Sequence, residues 1–205
     1  MNKYELLEVV EYQLNESCAF KKVIEDFGGF SNMSNDFKVR VNGILMKNTE
    51  ALYQACRFPD LIDIQREIVK QGSGMTAKMK SKRFRSQTRA DWDEVRVDIM
   101  RWCIRVKLAQ NFIGFGKLLE STGEKPIVEY SHKDTFWGAV LTKEGVLKGQ
   151  NVLGKLLMEI RDEYCLGTEE SKQMLRYVEP PVIDNFRLVG DLISPVGRRP
   201  LPMVA

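Results

Sequence analysis

The stretch from Asp134 to Gly138 is the first group of residues whose types and spacing point to chemistry. Asp134, Trp137 and Gly138 supply an acid, a large stacking surface and a residue that permits close backbone approach. This combination suits the binding of a sugar or a nucleotide. The same residues are equally compatible with a loop whose tryptophan packs into the core, because buried aromatic residues are common.

Glu50 is a second candidate, at the predicted start of a helix. Thr49 is the predicted N-cap of this helix, and Pro59 ends it. A carboxylate in the first turn is favoured by the helix dipole, which is a purely structural explanation for Glu50. A glutamate beside the turn-rich segment 31–35 is also a good candidate for a general acid or base.

A basic run from Lys78 to Arg85 places five cations in eight residues around Phe84. Such a composition suits contacts with phosphate groups. A solvated helix end explains the same run, since charge runs are usually exposed. The whole chain carries 31 basic and 28 acidic residues, and its net charge of +3 is too small to argue for nucleic-acid binding by itself.

Several familiar chemistries are disfavoured by residue types. His132 is the only histidine and no GxSxG motif is present, which argues against hydrolysis by a Ser-His-Asp triad. No GxGxxG motif follows a predicted strand, so the dinucleotide fingerprint is missing. The four cysteines contain no CxxC pair, and we expect them to be reduced and mostly packed. We therefore predict neither a metal site nor a cofactor.

The elements that would position these residues can be read from periodicity and turn signals. Alternation in Phe37–Val41, the Asn42-Gly43 turn and the return from Ile44 predict a hairpin, and hence a small antiparallel sheet. Helices are predicted over Asp60–Gln71, Gly74–Lys82 and Asn111–Leu119, with the longest one following a capping box at Thr88–Asp91.

A further helix is predicted to follow Asn151, which would cap it with its side chain. Leu153, Leu156, Leu157 and Ile160 would form the buried stripe of this helix. The segment 3–14 fits a helix or a strand equally well. After Cys165 the periodic pattern dissolves into a tail rich in proline, including Pro200 and Pro202, which is expected either to lie over the domain or to be mobile.

These elements predict an α+β fold that is predominantly helical. We expect an N-terminal extension over 1–19, a catalytic domain over 20–165 and a C-terminal extension over 166–205. No apolar run reaches the roughly 18 residues that cross a bilayer, and the N-terminus does not resemble a signal peptide, so a cytoplasmic location and no membrane partner are expected.

From about Phe20 to about Tyr164 the chain resembles the NADAR domain, the YbiA-like group. The matching pieces, in order, are Phe30-Ser31-Asn32, the helix from Thr49 through Glu50, Tyr53 and Gln54 to Ala55 with Phe58 closing, Ala77-Lys78, Glu129, Asp134 to Gly138, and Asn151 to Arg161 with Gly154 inside. Arg57 departs from the pattern, because many relatives carry lysine there. The loop from Ala139 to Thr142 resembles the branch encoded beside toxins that ADP-ribosylate DNA.

The resemblance implies an N-glycosidase that recognises ADP-ribose or a related ribosylated base. In the toxin-linked branch the reaction removes ADP-ribose from guanine in DNA, as the antitoxin to a DNA ADP-ribosyltransferase that is then the partner toxin. Other members cleave ribosylamino intermediates of riboflavin synthesis. A module that only binds ADP-ribose is the non-enzymatic alternative.

The chemistry implied by the resemblance assigns roles to particular residues. Cleavage of an N-glycosidic bond needs a carboxylate near a cation-like sugar carbon and a proton donor for the departing amine, and Glu50, Glu129 and Asp134 can fill these roles. A lysine could instead attack the sugar carbon and form a Schiff base, with Lys22 preferred over Lys78. Substrate binding is expected of Phe30, Ser31, Asn32, Tyr53, Lys78, Trp137, Gly138, Asn151, Gly154 and Arg161.

Some of these binding residues have structural explanations as well. Asn151 and Gly154 could serve only the capping and packing of their helix. Arg161 could form a surface ion pair with Glu159 or Glu163.

Overall fold

The computed structural model describes residues 3–199, and these form two compact units. The first, called here the sheet unit, consists of residues 3–31 and 116–166. The second, called the helical unit, consists of residues 32–115 and 167–199. Together the described residues carry a mixed α/β fold with eight α-helices. None of these helices is long and apolar enough to cross a membrane.

The sheet unit is built on a five-stranded sheet in the order β1-β7-β6-β5-β2. β1 pairs antiparallel with β7 and β7 antiparallel with β6, whereas β6–β5 and β5–β2 are parallel. The strands are β1 (Val10–Gln13), β2 (Cys18–Phe20), β5 (Ile127–Ser131), β6 (Ala139–Leu141) and β7 (Val146–Gly149). The sequence predicts only a small antiparallel sheet in a predominantly helical fold, so this five-stranded mixed sheet goes beyond the predicted fold class.

Two helices accompany this sheet, α1 (Lys3–Leu7) and α7 (Val152–Leu166). The predicted buried stripe of α7 is confirmed, because Leu153, Leu156, Leu157 and Ile160 are each at most 2% exposed. The ambiguous segment 3–14 contains both a helix and a strand. The buried Lys155 of α7 donates hydrogen bonds to the backbone carbonyls of Glu5, Leu6 and Glu8 and thereby holds the end of α1.

Of the described helices, five lie wholly in the helical unit: α2 (Thr49–Ala55), α3 (Ile62–Val69), α4 (Gly74–Arg83), α5 (Trp92–Gln110) and α8 (Glu169–Met174). A sixth, α6 (Phe112–Glu120), has residues in both units. The predicted hairpin is confirmed as β3 (Val39–Val41) paired with β4 (Ile44–Met46). Asn42 and Gly43 both have positive φ, which is the geometry of a two-residue turn between twisted strands. α5 is the helix predicted to be the longest, and its Ile99, Trp102 and Cys103 are buried.

Three predicted caps are wrong. Asn48, not Thr49, caps α2, because its side chain accepts a hydrogen bond from the backbone N–H of Ala51 at 3.0 Å. No capping box precedes α5, because the Asp91 carboxylate accepts hydrogen bonds from two nitrogens of the Arg89 guanidinium and caps no backbone N–H of the helix. The side chain of Asn151 hydrogen-bonds the backbone of β5 instead of the N–H groups of its own helix.

The segment after Cys165 is more ordered than its sequence pattern predicts. It contains α8, a short hairpin of β8 (Arg187–Leu188) and β9 (Asp191–Leu192), and a β-bridge between Val178 and Val196. Phe186 packs edge-on against Trp102 with ring centroids 5.1 Å apart. These contacts with residues distant in sequence order the segment, although it lacks helical periodicity. Pro200 and Pro202 lie outside the described residues.

All four cysteines are free, and three of them are buried as expected, whereas Cys165 is exposed. Lys107 on α5 is also buried, at 1% exposure, and its ammonium lies 4.7 Å from the ring centroid of Phe115 and 5.4 Å from that of Phe37. Burial lowers the pKa of Lys107 from 10.5 to about 7, although Asp36 opposes this shift.

This pKa predicts a pH-dependent stability. Between about pH 7 and pH 10.5 the unfolded chain binds a proton at Lys107 that the folded chain does not bind, so folding becomes more favourable as pH rises through this window. We expect Lys107→Met to raise the free energy of unfolding at pH 7, and this advantage over the wild type should shrink by pH 9.5. Urea unfolding at several pH values measures the difference. A difference independent of pH would contradict the assignment.

Candidate functional site

Glu50 lies in the first turn of α2 and is only 6% exposed. The cap provided by Asn48 starts this helix, and the backbone N–H of Glu50 donates to the carbonyl of Asn32 at 2.8 Å. Asn32 itself is buried and directs its amide group to the sulfur of Met100 at 2.9 Å. The helix start and the 31–35 loop are therefore joined by their backbone.

Burial raises the pKa of Glu50 above the usual glutamate value of 4.5. Three groups act in the opposite direction, in decreasing order the charge of Lys78, a hydrogen bond from Gln54 and the charge of Arg57. The amide of Gln54 donates to Glu50 Oε1 at 2.8 Å. A carboxyl group with a raised pKa and nearby cations can both give and take a proton, which a general acid or base must do.

Gln54, Ser81 and Arg57 extend this hydrogen-bond network, and the site residues predicted from the sequence include none of them. The Ser81 hydroxyl donates to Gln54 Oε1 at 2.5 Å, and the Arg57 guanidinium approaches the same oxygen at 3.4 Å. Arg57 also donates to Thr88 and lies 4.8 Å above the ring of Trp92. The spacing of four between Glu50 and Gln54 is a signal that could have identified Gln54.

Tyr53 is buried beside this network. Its ring centroid is 5.1 Å from that of Trp92, and burial raises its pKa well above 10.0. Because the ring already packs against Trp92, little of it is accessible for stacking on a base. Substrate stacking by Tyr53 stays a prediction.

Three polar atoms around α2 are buried without a hydrogen-bond partner among the described residues. They are Asn32 Oδ1, Thr49 Oγ1 and Arg57 Nε. A buried polar atom without a partner costs roughly 1–3 kcal/mol. Two of these atoms belong to residues that flank or bond Glu50, so the neighbourhood of this carboxyl group retains unused capacity for polar contacts.

The basic run lies on α4 and the turn that follows. Lys78, Lys82, Arg83 and Arg85 are exposed, whereas Lys80 forms an ion pair with Glu67 at 2.9 Å. The same helix contributes the buried Ser81 to the Gln54 network and the charge of Lys78 to Glu50. One face of α4 thus contacts Gln54 and lies near Glu50, while another face presents cations to solvent.

In the sheet unit, the loop before β6 carries the aspartate and tryptophan predicted from the sequence. Asp134 Oδ1 accepts hydrogen bonds from the backbone N–H groups of Phe136 and Trp137, each at 3.0 Å, so this carboxylate orders its own loop. Trp137 is half-buried and packs edge-on against Phe136 at 4.9 Å. The geometry explains Asp134 structurally, and its catalytic role stays a prediction.

Four other predicted residues meet at β5. Asn151 accepts from the Glu129 N–H at 3.0 Å and donates to the Ile127 carbonyl at 2.9 Å. Gly154 and Gly138 each approach the β5 backbone so closely that a Cβ would overlap a carbonyl oxygen, of Ile127 and Glu129 respectively. The close approach predicted for Gly138 is thus made to protein backbone. Substrate binding by these residues, and catalysis by Glu129, stay predictions.

The remaining predicted residues of the sheet unit have distinct surroundings. Phe30 is buried between the rings of Phe20 and Phe27, and Ser31 follows it. Lys22 is exposed, and its backbone N–H donates to Glu25. Arg161 is buried and donates to the Lys125 carbonyl at 2.7 Å, and its ion-pair partner is Asp162, not Glu159 or Glu163.

The profile of the NADAR domain family matches residues 19–164. The chain belongs to the NADAR domain family. The matched region covers well over half of the chain and includes Glu50, Gln54, Arg57, Lys78 and Ser81.

Individual relatives of this NADAR chain agree with that assignment. The N-glycosidase YbiA of Escherichia coli is 31% identical over 148 residues, which are 72% of this chain and 88% of YbiA. A riboflavin biosynthesis protein of Vibrio vulnificus is 29% identical over 170 residues. That alignment covers 81% of this chain but 44% of the relative, so the chain spans less than half of its length.

The solution structure of Escherichia coli YbiA has a similar fold. It matches with a TM-score of 0.61 and 30% identity, over 75% of this NADAR chain and 91% of YbiA. The family resemblance read from the sequence motifs is therefore confirmed for the NADAR domain.

The structure divides the predicted site residues of the NADAR domain between its two units. Asn32, Glu50, Tyr53 and Lys78 belong to the helical unit, where Asn32, Tyr53 and Lys78 surround Glu50. Lys22, Phe30, Ser31, Glu129, Asp134, Trp137, Gly138, Asn151, Gly154 and Arg161 belong to the sheet unit. Among residues 3–199 no group of three or more His, Cys, Asp or Glu side chains has an arrangement that would hold a metal ion.

Proposed function

We propose that this NADAR protein is an N-glycosidase in which Glu50 exchanges the proton of the reaction. The observation that carries the proposal is the buried Glu50 carboxyl, whose pKa is raised by burial while Lys78 and Gln54 face it. Relatives named N-glycosidase YbiA, similar over most of their length, support the same reaction type.

The proposed reaction breaks the bond between the anomeric carbon of a ribose and a nitrogen of its aglycone. Protonated Glu50 gives its proton to the departing nitrogen, and the carboxylate that remains stabilises the positive charge on the sugar carbon. Water then adds its oxygen to that carbon and returns a proton to Glu50. The raised pKa keeps the acid form available at a higher pH than in an ordinary glutamate.

We further propose that the sugar is ADP-ribose attached to guanine in DNA, and that the enzyme is the antitoxin of a DNA ADP-ribosyltransferase toxin. The exposed cations Lys82, Arg83 and Arg85 on and after α4 provide the phosphate contacts that a diphosphate or a DNA backbone requires. Buried Asn32 Oδ1 offers an acceptor to a ribose hydroxyl. For the sheet unit, we propose that the half-buried Trp137 stacks on a base.

The direct test is to incubate the protein with DNA that carries ADP-ribosylated guanine and to follow release of ADP-ribose by chromatography. Release together with unmodified DNA is expected. Tight binding of the modified DNA without release would instead identify a module that only binds ADP-ribose.

The names of several relatives favour a second substrate. Riboflavin biosynthesis proteins of Vibrio vulnificus and Zea mays match this chain, so a ribosylamino intermediate of riboflavin synthesis is the alternative. This substrate is a small molecule without a polynucleotide. Parallel assays with both substrates therefore separate the two candidates, and turnover of only the small intermediate would remove the DNA proposal.

A lysine nucleophile is the alternative route for the same bond. Of the two candidate lysines, Lys78 shares the helical unit with Glu50, and its charge acts on that carboxyl group, whereas Lys22 belongs to the sheet unit. A Schiff base with the opened sugar would be trapped by borohydride. A trapped adduct on Lys78 or Lys22 in peptide mass spectra would transfer the nucleophilic role to that lysine.

The basic run gives a prediction that distinguishes DNA from small substrates. We expect Lys82→Ala, Arg83→Ala and Arg85→Ala together to weaken turnover of modified DNA at least tenfold, with little change on a free ADP-ribosylated nucleoside. The salt dependence of DNA binding should become shallower by about one for each phosphate that the variant no longer neutralises. Lys117→Ala, Lys125→Ala and Lys143→Ala together remove the same charge elsewhere on the surface and serve as the control. Equal losses on both substrates would show that the run is merely solvated.

A further inference from the structure

The hydrogen bonds around Gln54 run in one order, from donors on Ser81 and Arg57 through the Gln54 carboxamide to the Glu50 carboxyl group. Ser81 has a hydroxyl that donates to Gln54 Oε1 at 2.5 Å, and Gln54 Nε2 donates to Glu50 Oε1 at 2.8 Å. Arg57 adds a second, longer donor to Gln54 Oε1 at 3.4 Å. Ser81, Gln54 and Glu50 are 1%, 4% and 6% exposed, so solvent contributes little to the choice of partners.

A carboxamide can face Glu50 in two orientations. With Nε2 toward Glu50 it donates and favours the ionised carboxylate, whereas with Oε1 toward Glu50 it can only accept and favours the protonated acid. The Arg57 guanidinium has no acceptor, and it would meet the amide hydrogens of Gln54 unfavourably in the second orientation. The Arg57 guanidinium therefore selects the first orientation. The Ser81 hydroxyl could donate or accept, and in this orientation it adds the short hydrogen bond that holds Oε1 in place.

We propose that Ser81 is a positioning residue that holds the Gln54 carboxamide, in the orientation that Arg57 selects, so that its N–H group donates to Glu50. The inference deepens the proposed function, because Glu50 is the group assigned to proton exchange there. It also connects α4 with the chemistry, since Ser81 lies on the helix that carries the basic run.

The other groups that face Glu50 must be separated from this effect. Lys78 on α4 and Arg57 on α2 act on Glu50 by charge, Tyr53 on α2 lies close enough to feel the charge of Glu50, and so does the buried thiol of Cys103 on α5. Substitution of Arg57 would change the charge near Glu50 as well as the donor to Gln54. Ser81 is neutral, so its replacement changes the hydrogen bonding alone.

The test is a titration of the Glu50 carboxyl group by ¹³C NMR in protein labelled at glutamate, with the resonance identified by its loss in Glu50→Gln. We expect Ser81→Ala to move the titration midpoint to higher pH, because Gln54 loses the shorter of its two hydrogen bonds to Oε1 and donates less firmly to the carboxylate. Ser81→Cys keeps the size but offers a weaker donor, and it should move the midpoint in the same direction. Thr122→Ala removes another buried hydroxyl, in the sheet unit, and should leave the midpoint unchanged.

A second background shows whether Ser81 acts through Gln54. In Gln54→Met the amide donor is gone, so the midpoint should rise, and adding Ser81→Ala should then have no further effect. A midpoint that is unchanged in Ser81→Ala, or a further rise in the double variant, would overturn the positioning role.

The pH profile of kcat/KM on the glycosidase substrate separates this inference from the function itself. If both are correct, the limb governed by Glu50 moves to higher pH in parallel with the NMR midpoint. A displaced midpoint with an unchanged profile supports the positioning by Ser81 and removes Glu50 from catalysis. An unchanged midpoint overturns the positioning whatever the enzyme cleaves.

Discussion

Glu50→Gln is expected to bind ADP-ribose with nearly wild-type affinity and to lose roughly two to four orders of magnitude in the rate of cleavage, the range that general acid–base groups supply. Glutamine keeps the shape of the side chain but cannot exchange a proton. The amide of Gln54 can still be accommodated, because the new carboxamide oxygen accepts the hydrogen bond that Glu50 Oε1 accepts at 2.8 Å. Calorimetric titration with ADP-ribose and a single-turnover assay measure the two quantities.

The stability of this variant provides an independent check. Because burial raises the pKa of Glu50, the folded chain binds a proton more tightly than the unfolded chain, and the wild type loses stability as pH rises from the usual 4.5 through the raised value. Glu50→Gln has no such group, so its free energy of unfolding should lack this fall. At neutral pH we therefore expect the variant to be at least as stable as the wild type.

A matched control is available on the neighbouring helix. Asp63 occupies the first turn of α3, and its side chain is 95% exposed. Asp63→Asn should leave cleavage unchanged and reduce stability by about 0.3–1 kcal/mol, as expected for an exposed first-turn carboxylate that interacts with the helix dipole and pairs with Arg66 at 3.3 Å. The same outcome for Glu50→Gln, with normal cleavage, would remove Glu50 from the catalytic assignment.

The local features of this fold were accessible from the sequence. The Asn42-Gly43 turn and the spacing of apolar residues after Asn151 depend on neighbours a few positions apart, and both predictions are confirmed. The family motifs add non-local information, because the motif residue Lys78 is on a different helix from Glu50 and Tyr53, yet all three are neighbours in the helical unit.

The features that escaped prediction depend on contacts between distant segments. The order of the five-stranded sheet places β1 beside β7, and no local pattern encodes that pairing. The donor that orients Gln54 comes from Ser81, 27 residues away, and becomes apparent only when α4 packs on α2. Asn151 has the residue type of a cap, but β5 offers its side chain a backbone N–H and a carbonyl that its own helix does not.

The junction between β5 and α7 has no room for a side chain at Gly154. A Cβ at this position would overlap the carbonyl oxygen of Ile127 and both polar atoms of the Asn151 carboxamide. The carbonyl belongs to a strand paired on both sides, and Asn151 is fully buried with positive φ, so neither neighbour can move cheaply. Helix propensity alone would favour alanine here by about 1 kcal/mol.

We expect Gly154→Ala to lower the free energy of unfolding by about 3 kcal/mol, the upper end of the usual cost of overpacking, because the helix must shift away from β5 and weaken the hydrogen bonds of Asn151. For a chain of this size that corresponds to a fall of roughly 6–12 °C in melting temperature. Gly114→Ala on α6 is the control, since its Cβ would meet only a ring atom of Phe37 at 3.4 Å and should be neutral or stabilising. Thermal and urea unfolding measure both variants, and equal stability of Gly154→Ala and Gly114→Ala would contradict the packing role assigned to Gly154.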